Sequence, residues 1–117
     1  MRLEEKREPN AWIVRPMERR LDAVRAKAFR NAMQKYVNNG VPNVILDFST
    51  VEFLDSAGLG VLVCCRKRQG QNGSMAICNA HNTVEHLFKL LGLHRVFPLY
   101  GTETEALAAL GPEGVRE

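Results

Sequence analysis

The chain has 117 residues, enough to bury one core without staples, and its 45% hydrophobic and 25% charged residues are ordinary for a single globular domain. A net charge of +3, with 7% aromatic residues that do not interleave with the basic ones, argues against a nucleic-acid face. No uninterrupted apolar run reaches membrane-spanning length, and the charged start Met1 to Arg7 lacks the apolar core of a signal peptide, so a cytoplasmic location without membrane insertion is expected.

Met1 to Glu8 alternates weakly and reads as an edge strand, its charges discouraging pairing with other chains. Pro9-Asn10 marks a turn into a second strand, Ala11 to Val14, which Pro16 keeps short, and the two strands make a candidate hairpin. Asp22 is placed to cap a helix over Ala23 to Asn38. In it Phe29, Ala32, Met33, Tyr36 and Val37 form one apolar stripe, and Arg25, Lys27, Arg30 and Lys35 cover the opposite face. Asn39-Gly40 closes that helix in the left-handed conformation.

Pro42 leads into Val44-Ile45-Leu46-Asp47-Phe48, an apolar run suited to a strand buried on both faces. A polar break at Ser49-Thr50 precedes the apolar segment Val51 to Leu54, then Asp55-Ser56-Ala57-Gly58, then the apolar run Leu59 to Cys65. Asp55 or Ser56 can cap the helix this run forms, since each has an oxygen able to accept first-turn N–H groups. Leu59, Leu62 and Val63 are the expected core stripe. Val61, Cys64 and Cys65 then need cover from a neighbouring helix, or else form an exposed apolar patch. Arg66-Lys67-Arg68 falls in the last turn, where cations favour the helix dipole, so the triplet reads as structural.

Gln69 to Gly73 is a loop and Ser74 to Cys78 another strand. Asn82 to Glu85 has capping-box spacing ahead of the stripe Val84, Leu87, Phe88, Leu91, which Gly92 closes. Val96 to Leu99 reads as a short edge strand. A second capping box, Thr102 to Glu105, opens a helix that buries Ala106, Leu107 and Leu110. Gly111-Pro112-Glu113-Gly114 breaks that helix, leaving 111–117 as a loose tail on one domain spanning 1–117. Strands alternating with amphipathic helices give a layered α/β sheet.

Three cysteines, Cys64, Cys65 and Cys78, lack C-x-x-C spacing and read as buried reduced thiols. His81, His86 and His94 have neither i, i+4 spacing nor an acidic cluster nearby, so no metal site is expected. Gly58 and Gly60 fail the G-x-G-x-x-G pattern, because Val63 takes the third glycine's place; close backbone approach is their simpler role, and no cofactor is implied. Leu54-Asp55-Ser56-Ala57-Gly58 lacks the first glycine of G-x-S-x-G, and no histidine is placed as a base, so Ser56 does not read as a catalytic nucleophile. It reads either as a helix cap or as a hydroxyl displayed at the positive end of a helix.

Leu46-Asp47-Phe48-Ser49 followed by Val51-Glu52-Phe53-Leu54-Asp55-Ser56-Ala57-Gly58-Leu59-Gly60 resembles the signature of the STAS domain, shared by bacterial anti-sigma factor antagonists and the cytoplasmic tails of sulfate transporters. The likeness continues through Asn82 to Leu91, Gly92 to Pro98 and Thr104 to Leu107. It implies a mixed, mostly parallel sheet with about four helices packed chiefly on one side. It further implies that Ser56 is the phospho-acceptor and that Asp22, Asp55, Ser56, Ala57, Gly58, Leu59 and Gly60 form the partner-binding surface. The implied function is that of a non-enzymatic anti-sigma factor antagonist. Unphosphorylated, such a protein binds a serine-kinase anti-sigma factor of the histidine-kinase-like ATPase fold and frees the sigma factor. The kinase ends the contact with ATP-Mg, and a serine phosphatase restores it. The alternative within the same fold is an accessory subunit of a lipid-exporting transporter ATPase, or a stress-signalling scaffold. One departure stands out: in Arg19-Arg20-Leu21-Asp22, Arg19 occupies the glycine place of the family's G-x-L-D turn, which puts the expected turn geometry in question.

Overall fold

The computed structural model describes residues 1–110, so the expected tail at 111–117 lies outside the described residues. Leu3–Arg7 (β1) and Trp12–Pro16 (β2) pair antiparallel across a turn closed by the Glu8 N–H donating to the Ala11 carbonyl at 2.8 Å. Arg20–Leu21 (β3) follows, then the helix Ala26–Asn38 (α1) and the strand Asn43–Asp47 (β4). Phe53–Leu54 (β5) leads into the helix Ser56–Gln69 (α2), which is followed by Ser74–Cys78 (β6) and the helix Asn82–Leu90 (α3). A short 3-10 turn at Leu93–Arg95, the strand Leu99–Tyr100 (β7) and the helix Glu103–Leu110 (α4) complete the order.

The main sheet runs β1-β2-β4-β6-β7, antiparallel only at the first pair, while β3 and β5 form a separate parallel ribbon. β4 is central and buried at every residue, its apolar centre Val44-Ile45-Leu46 flanked by the buried polar Asn43 and Asp47. Facing sides of the sheet carry different layers. Val14, Val44, Leu46, Met75 and Ile77 pack against α1, α2 and α3 through Phe29, Met33, Leu62, Val84 and Phe88. Ile13, Ile45, Ala76 and Cys78 pack on the other side against Ala106 and Leu110 of α4. Three helices on one face and one on the other is the arrangement the family likeness implies.

Chain ends of the helices explain several boundaries. After α1, Gly40 takes φ +68°, with the Gly40 and Val41 N–H groups donating to the Val37 and Tyr36 carbonyls, the paired closure expected of a left-handed C-terminal cap. Gly92, at φ +72°, ends α3 in the same region of conformational space. The box at Thr102 forms in part: the Glu105 N–H donates to Thr102 Oγ1 at 3.1 Å, while the Glu105 carboxylate accepts the Gly101 N–H, one residue earlier than the motif prescribes.

Other expectations need correction. Asn82 to Glu85 makes no capping box, because the helix begins at Asn82 itself with His81 as the preceding residue, and His81 Nε2 lies 2.8 Å from the Ser49 carbonyl instead. Val96 to Leu99 is not a strand. The 3-10 turn draws the Val96 and Phe97 N–H groups onto the Leu93 carbonyl and sets the Phe97 ring edge-on against Phe88, so the chain meets β6 only from Pro98, whose carbonyl accepts the Ile77 N–H at 2.9 Å, and β7 begins at Leu99. Leu91, placed in the core stripe of α3, is more than half exposed, since the helix stops just before it. The stripe of α2 is Gly58, Val61, Leu62 and Cys65, at i, i+3, i+4 and i+7, with Leu59 beside it; Val63 is half-buried and Cys64 is exposed rather than buried. The helix starts at Ser56, and Gly58 pressed against the ribbon sets this rotation.

Candidate functional site

Ser56 is the first residue of α2, and the structure separates its two candidate roles. Asp55 is the N-cap: its Oδ1 accepts the N–H groups of Ala57 at 2.9 Å and Gly58 at 3.1 Å. Its Oδ2 accepts the Ala23 N–H at 3.1 Å, and the Asp55 N–H donates to the Leu21 carbonyl, so one side chain ties the Leu21–Ala23 segment to the helix start. With the capping done by Asp55, the exposed Ser56 hydroxyl has no hydrogen-bond partner among the described residues.

The other serines are engaged. Ser49 is exposed, its N–H donates to Asp47 Oδ1 at 3.0 Å, and its side chain helps hold the Asp47 carboxyl below its ordinary pKa. Ser74 Oγ donates to Asn43 Oδ1 at 2.7 Å. A serine with an open, unshared hydroxyl is therefore found only at position 56 among the described residues.

Behind Ser56 the backing is tight. A Cβ on Gly58 would collide with the Leu21 carbonyl oxygen and lie 2.7 Å from Leu54 Cδ1. Gly60 has nothing within 4 Å of that position and is exposed. Close approach therefore explains Gly58 and not Gly60. Leu59 faces the core, as Gly58 does, so within the expected contact set Ser56 and Gly60 are exposed, Ala57 and Asp55 half-buried, and Gly58 and Leu59 buried.

Asp22 is brought to the same corner but its carboxylate is occupied. Oδ2 accepts Arg20 Nε at 3.2 Å, and Oδ1 accepts the Arg25 N–H at 3.2 Å and Arg25 Nη1 at 3.3 Å. Burial raises its pKa, but these hydrogen bonds outweigh that and hold it below the usual carboxylate range. Asp22 caps the turn Asp22–Arg25; α1 begins only at Ala26, because the bonds to Asp55 and Leu21 keep the preceding segment against the ribbon. Val24, at the tip of this turn, is 85% exposed, and no periodic signal in the sequence distinguishes it.

Arg19 fits without glycine. Among the described non-glycine residues only Asn79 has a positive φ, so the turn does not need the freedom the family's glycine supplies. The Arg19 carbonyl accepts the Glu52 and Phe53 N–H groups, and its guanidinium pairs with Glu52 at 2.9 Å, holding the Glu52 carboxyl below its ordinary pKa. Arg20 lies 4.2 Å over the Phe53 ring. A groove of about 590 Å³ runs here between Arg19, Arg25, Glu18, Met17 and Phe53, an arginine-and-aromatic wall that sequence reading missed because its parts lie thirty residues apart in the chain.

Asp47, at the end of β4, is a structural counterpart. Burial raises its pKa, but bonds from Ser49, Asn79 and Arg15 overcome this and lower it, and the carboxylate fixes the loop leaving β4. Burial pushes the Cys65 thiol up to about 11 and the Cys78 thiol up to about 12, so both are protonated at neutral pH and neither is a ready nucleophile. No described helix is long and apolar enough to cross a membrane.

Residues 3–106 match the family model of the STAS domain. The chain is 35% identical over 69 residues to an anti-sigma F factor antagonist of Paenibacillus polymyxa, covering 58% of this chain and 59% of that one. It is 28% identical over 90 residues to the anti-sigma-F factor antagonist RsfB of Mycobacterium tuberculosis, covering 77% of this chain and 74% of the relative. The crystal structure of an anti-sigma factor antagonist from Mycobacterium paratuberculosis superposes with a TM-score of 0.84 at 27% identity, covering 95% of this chain and 94% of that one.

Proposed function

The chain belongs to the STAS domain family, and on that premise we propose that it is an anti-sigma factor antagonist switched at Ser56. The observation that carries this reading is the hydroxyl itself: exposed, uncapped, and held at a helix start whose capping is done by another residue. Relatives named as anti-sigma factor antagonists support the partner class.

In the unphosphorylated form, Ser56, Ala57 and Gly60 present a small neutral surface to a serine-kinase anti-sigma factor. Gly58 and Leu59 fix that surface from beneath, and Asp22 and Asp55 hold the loop beside it. The partner then releases its sigma factor. Inactivation follows when the partner's ATP-Mg delivers its γ-phosphoryl group to Ser56 Oγ: the new O–P bond forms as the bond to ADP breaks, and the hydroxyl proton passes to a base on the kinase.

Phosphoserine adds about two negative charges. A helix N-terminus would ordinarily draw such a group inward. Here Asp55 already takes the Ala57 and Gly58 N–H groups, so the phosphate stays outward beside a carboxylate. A partner surface fitted to a neutral hydroxyl then meets a dianion it must desolvate, and release needs no refolding. A serine phosphatase resets the switch by hydrolysis. The protein itself is a binding module, not an enzyme, and works in the cytoplasm.

The test is paired affinity capture from lysate of the source organism, using wild-type and Ser56→Asp baits with mass-spectrometric identification. An ATPase-fold serine kinase held by wild type and lost from Ser56→Asp is expected. Transporter ATPase subunits held equally by both baits would overturn the reading in favour of an accessory subunit.

A further inference from the structure

Neither α1 nor α2 contains an aspartate or a glutamate. The two helices pack side by side and run in the same direction. Their starts are tied by the Ala23 N–H on Asp55 Oδ2, and their ends by Arg68 Nη2 on Asn38 Oδ1 at 2.7 Å. Arg30, Gln34 and Asn38 form one i, i+4 row of α1, so this row runs along α2. Lys35 sits on the opposite flank, paired with Glu5 of β1 at 2.9 Å. On α2 the exposed row is Ser56, Gly60 and Cys64, ending at Lys67. It is a low row, since Gly60 has no side chain and Cys64 a short one. Lys27, Arg30 and Lys67 are exposed and have no carboxylate within ion-pair distance among the described residues. Arg66 and Arg68 add charge at the far end, where they donate to the Gly70 carbonyl and to Asn38. Asp22 and Asp55, at the helix starts, are both engaged by the bonds described above.

We infer that the α1–α2 face docks an acidic helix of the partner that reads Ser56. Its carboxylates meet Lys27, Arg30 and Lys67, and its side comes close over Gly60 and Cys64. The inference rests on the Ser56 reading for the identity of that partner. A second copy of this chain fits poorly, because two such faces repel and the glutamates of β1 and α4 are taken. Glu4 holds Arg2 and Arg15, Glu5 holds Arg7 and Lys35, Glu103 holds Lys6, and Glu105 accepts the Gly101 N–H. Single-stranded nucleic acid and lipid suit the face less, since it exposes neither an aromatic ring for stacking nor a long apolar side chain for insertion. An acidic occupant also explains why a phosphate at Ser56 would act so strongly. Gly60 lies one turn from Ser56, about 6 Å along the axis, within the roughly 8 Å over which charge acts at physiological salt. Lys67 lies about 16 Å away and is screened from it. Phosphoserine thus opposes the partner carboxylates drawn in by Lys27 and Arg30.

The test is an amide chemical-shift titration of the full chain with four probes. These are a synthetic helical peptide of alanine and glutamate, the same peptide with lysine for glutamate, phosphatidylglycerol vesicles, and a single-stranded DNA oligonucleotide. The glutamate peptide is expected to shift Lys27, Arg30, Gly60, Cys64 and Lys67, and to bind at least about tenfold more tightly than each other probe. Lys27→Glu and Arg30→Glu, at exposed positions that hold no bond in the fold, should each weaken it by about threefold or more. Ser56→Asp should weaken it by roughly twofold, through its charge beside Gly60. Shifts confined elsewhere, no response, equal binding of the lysine peptide, vesicles or oligonucleotide bound as tightly, or unchanged affinity in Lys27→Glu and Arg30→Glu would each overturn the proposal. The lysate capture with wild-type and Ser56→Asp baits tests the switch itself without the peptide. A kinase captured there and lost with the acidic bait, but held equally by Lys27→Glu and Arg30→Glu baits, would keep the switch and overturn the docking face.

Discussion

Gly58 and Gly60 stand two residues apart on α2 and live in opposite surroundings. At Gly58 the helix is pressed onto the Leu21 carbonyl and the Leu54 side chain, with no room for a methyl group. At Gly60 there is open space. The same first turn thus has a packed side that fixes its position and a bare side that carries Ser56. The difference explains how an exposed hydroxyl can be held in one place: rigidity comes from behind, through Gly58 and through the three N–H groups gathered by Asp55, and the front is left free for a partner.

The contrast can be broken most severely at Gly58. Gly58→Ala forces a Cβ into the Leu21 carbonyl, so we expect a loss of roughly 3 kcal/mol and a fall in Tm on the order of 10 °C, read by urea and thermal denaturation. Next comes Asp55→Ala, which strips the cap and the bridge to Ala23; about 1–2 kcal/mol should be lost, and hydrogen exchange of the Ala23, Ala57 and Gly58 amides should quicken. Gly60→Ala sharpens the contrast from the other side: a methyl group in open space within a helix should stabilise by about 0.5–1 kcal/mol. The same methyl group on the bare face should weaken partner binding, so stability and affinity move in opposite directions. Smallest is Ser56→Ala, expected to change stability by less than about 0.5 kcal/mol because the hydroxyl holds no bond in the fold. A large loss of stability in Ser56→Ala would mean the serine is structural after all.

Much of this arrangement was legible in the residues. The apolar stretch Val44 to Leu46 announced β4, Gly40 and Gly92 announced helix ends, and the step from strand through Asp55-Ser56 to helix placed the hydroxyl at a helix start. Which of the two residues capped was not legible, since both offer an acceptor oxygen and the choice depends on Asp55 also reaching Ala23, thirty-two residues away. Nor was the phase of α2, an apolar run whose buried side is decided by contact of Gly58 with the ribbon and not by any pattern of its own. Arg19 could be judged only once its backbone conformation and its partner Glu52 were seen. Leu91 and Val96 misled because apolar character alone cannot tell a core stripe from surface beside a tight turn.

The central claim is that Ser56, a serine whose hydroxyl has no partner among the described residues, is the residue the proposed switch acts on. Its most direct measurement is phosphosite mapping by tandem mass spectrometry after the full chain is incubated with source lysate and ATP-Mg. A single phosphate on Ser56, with Ser49 and Ser74 unmodified, is the predicted result. Phosphate on Ser49, Ser74 or a threonine with Ser56 untouched, or no phosphate at all, would contradict it.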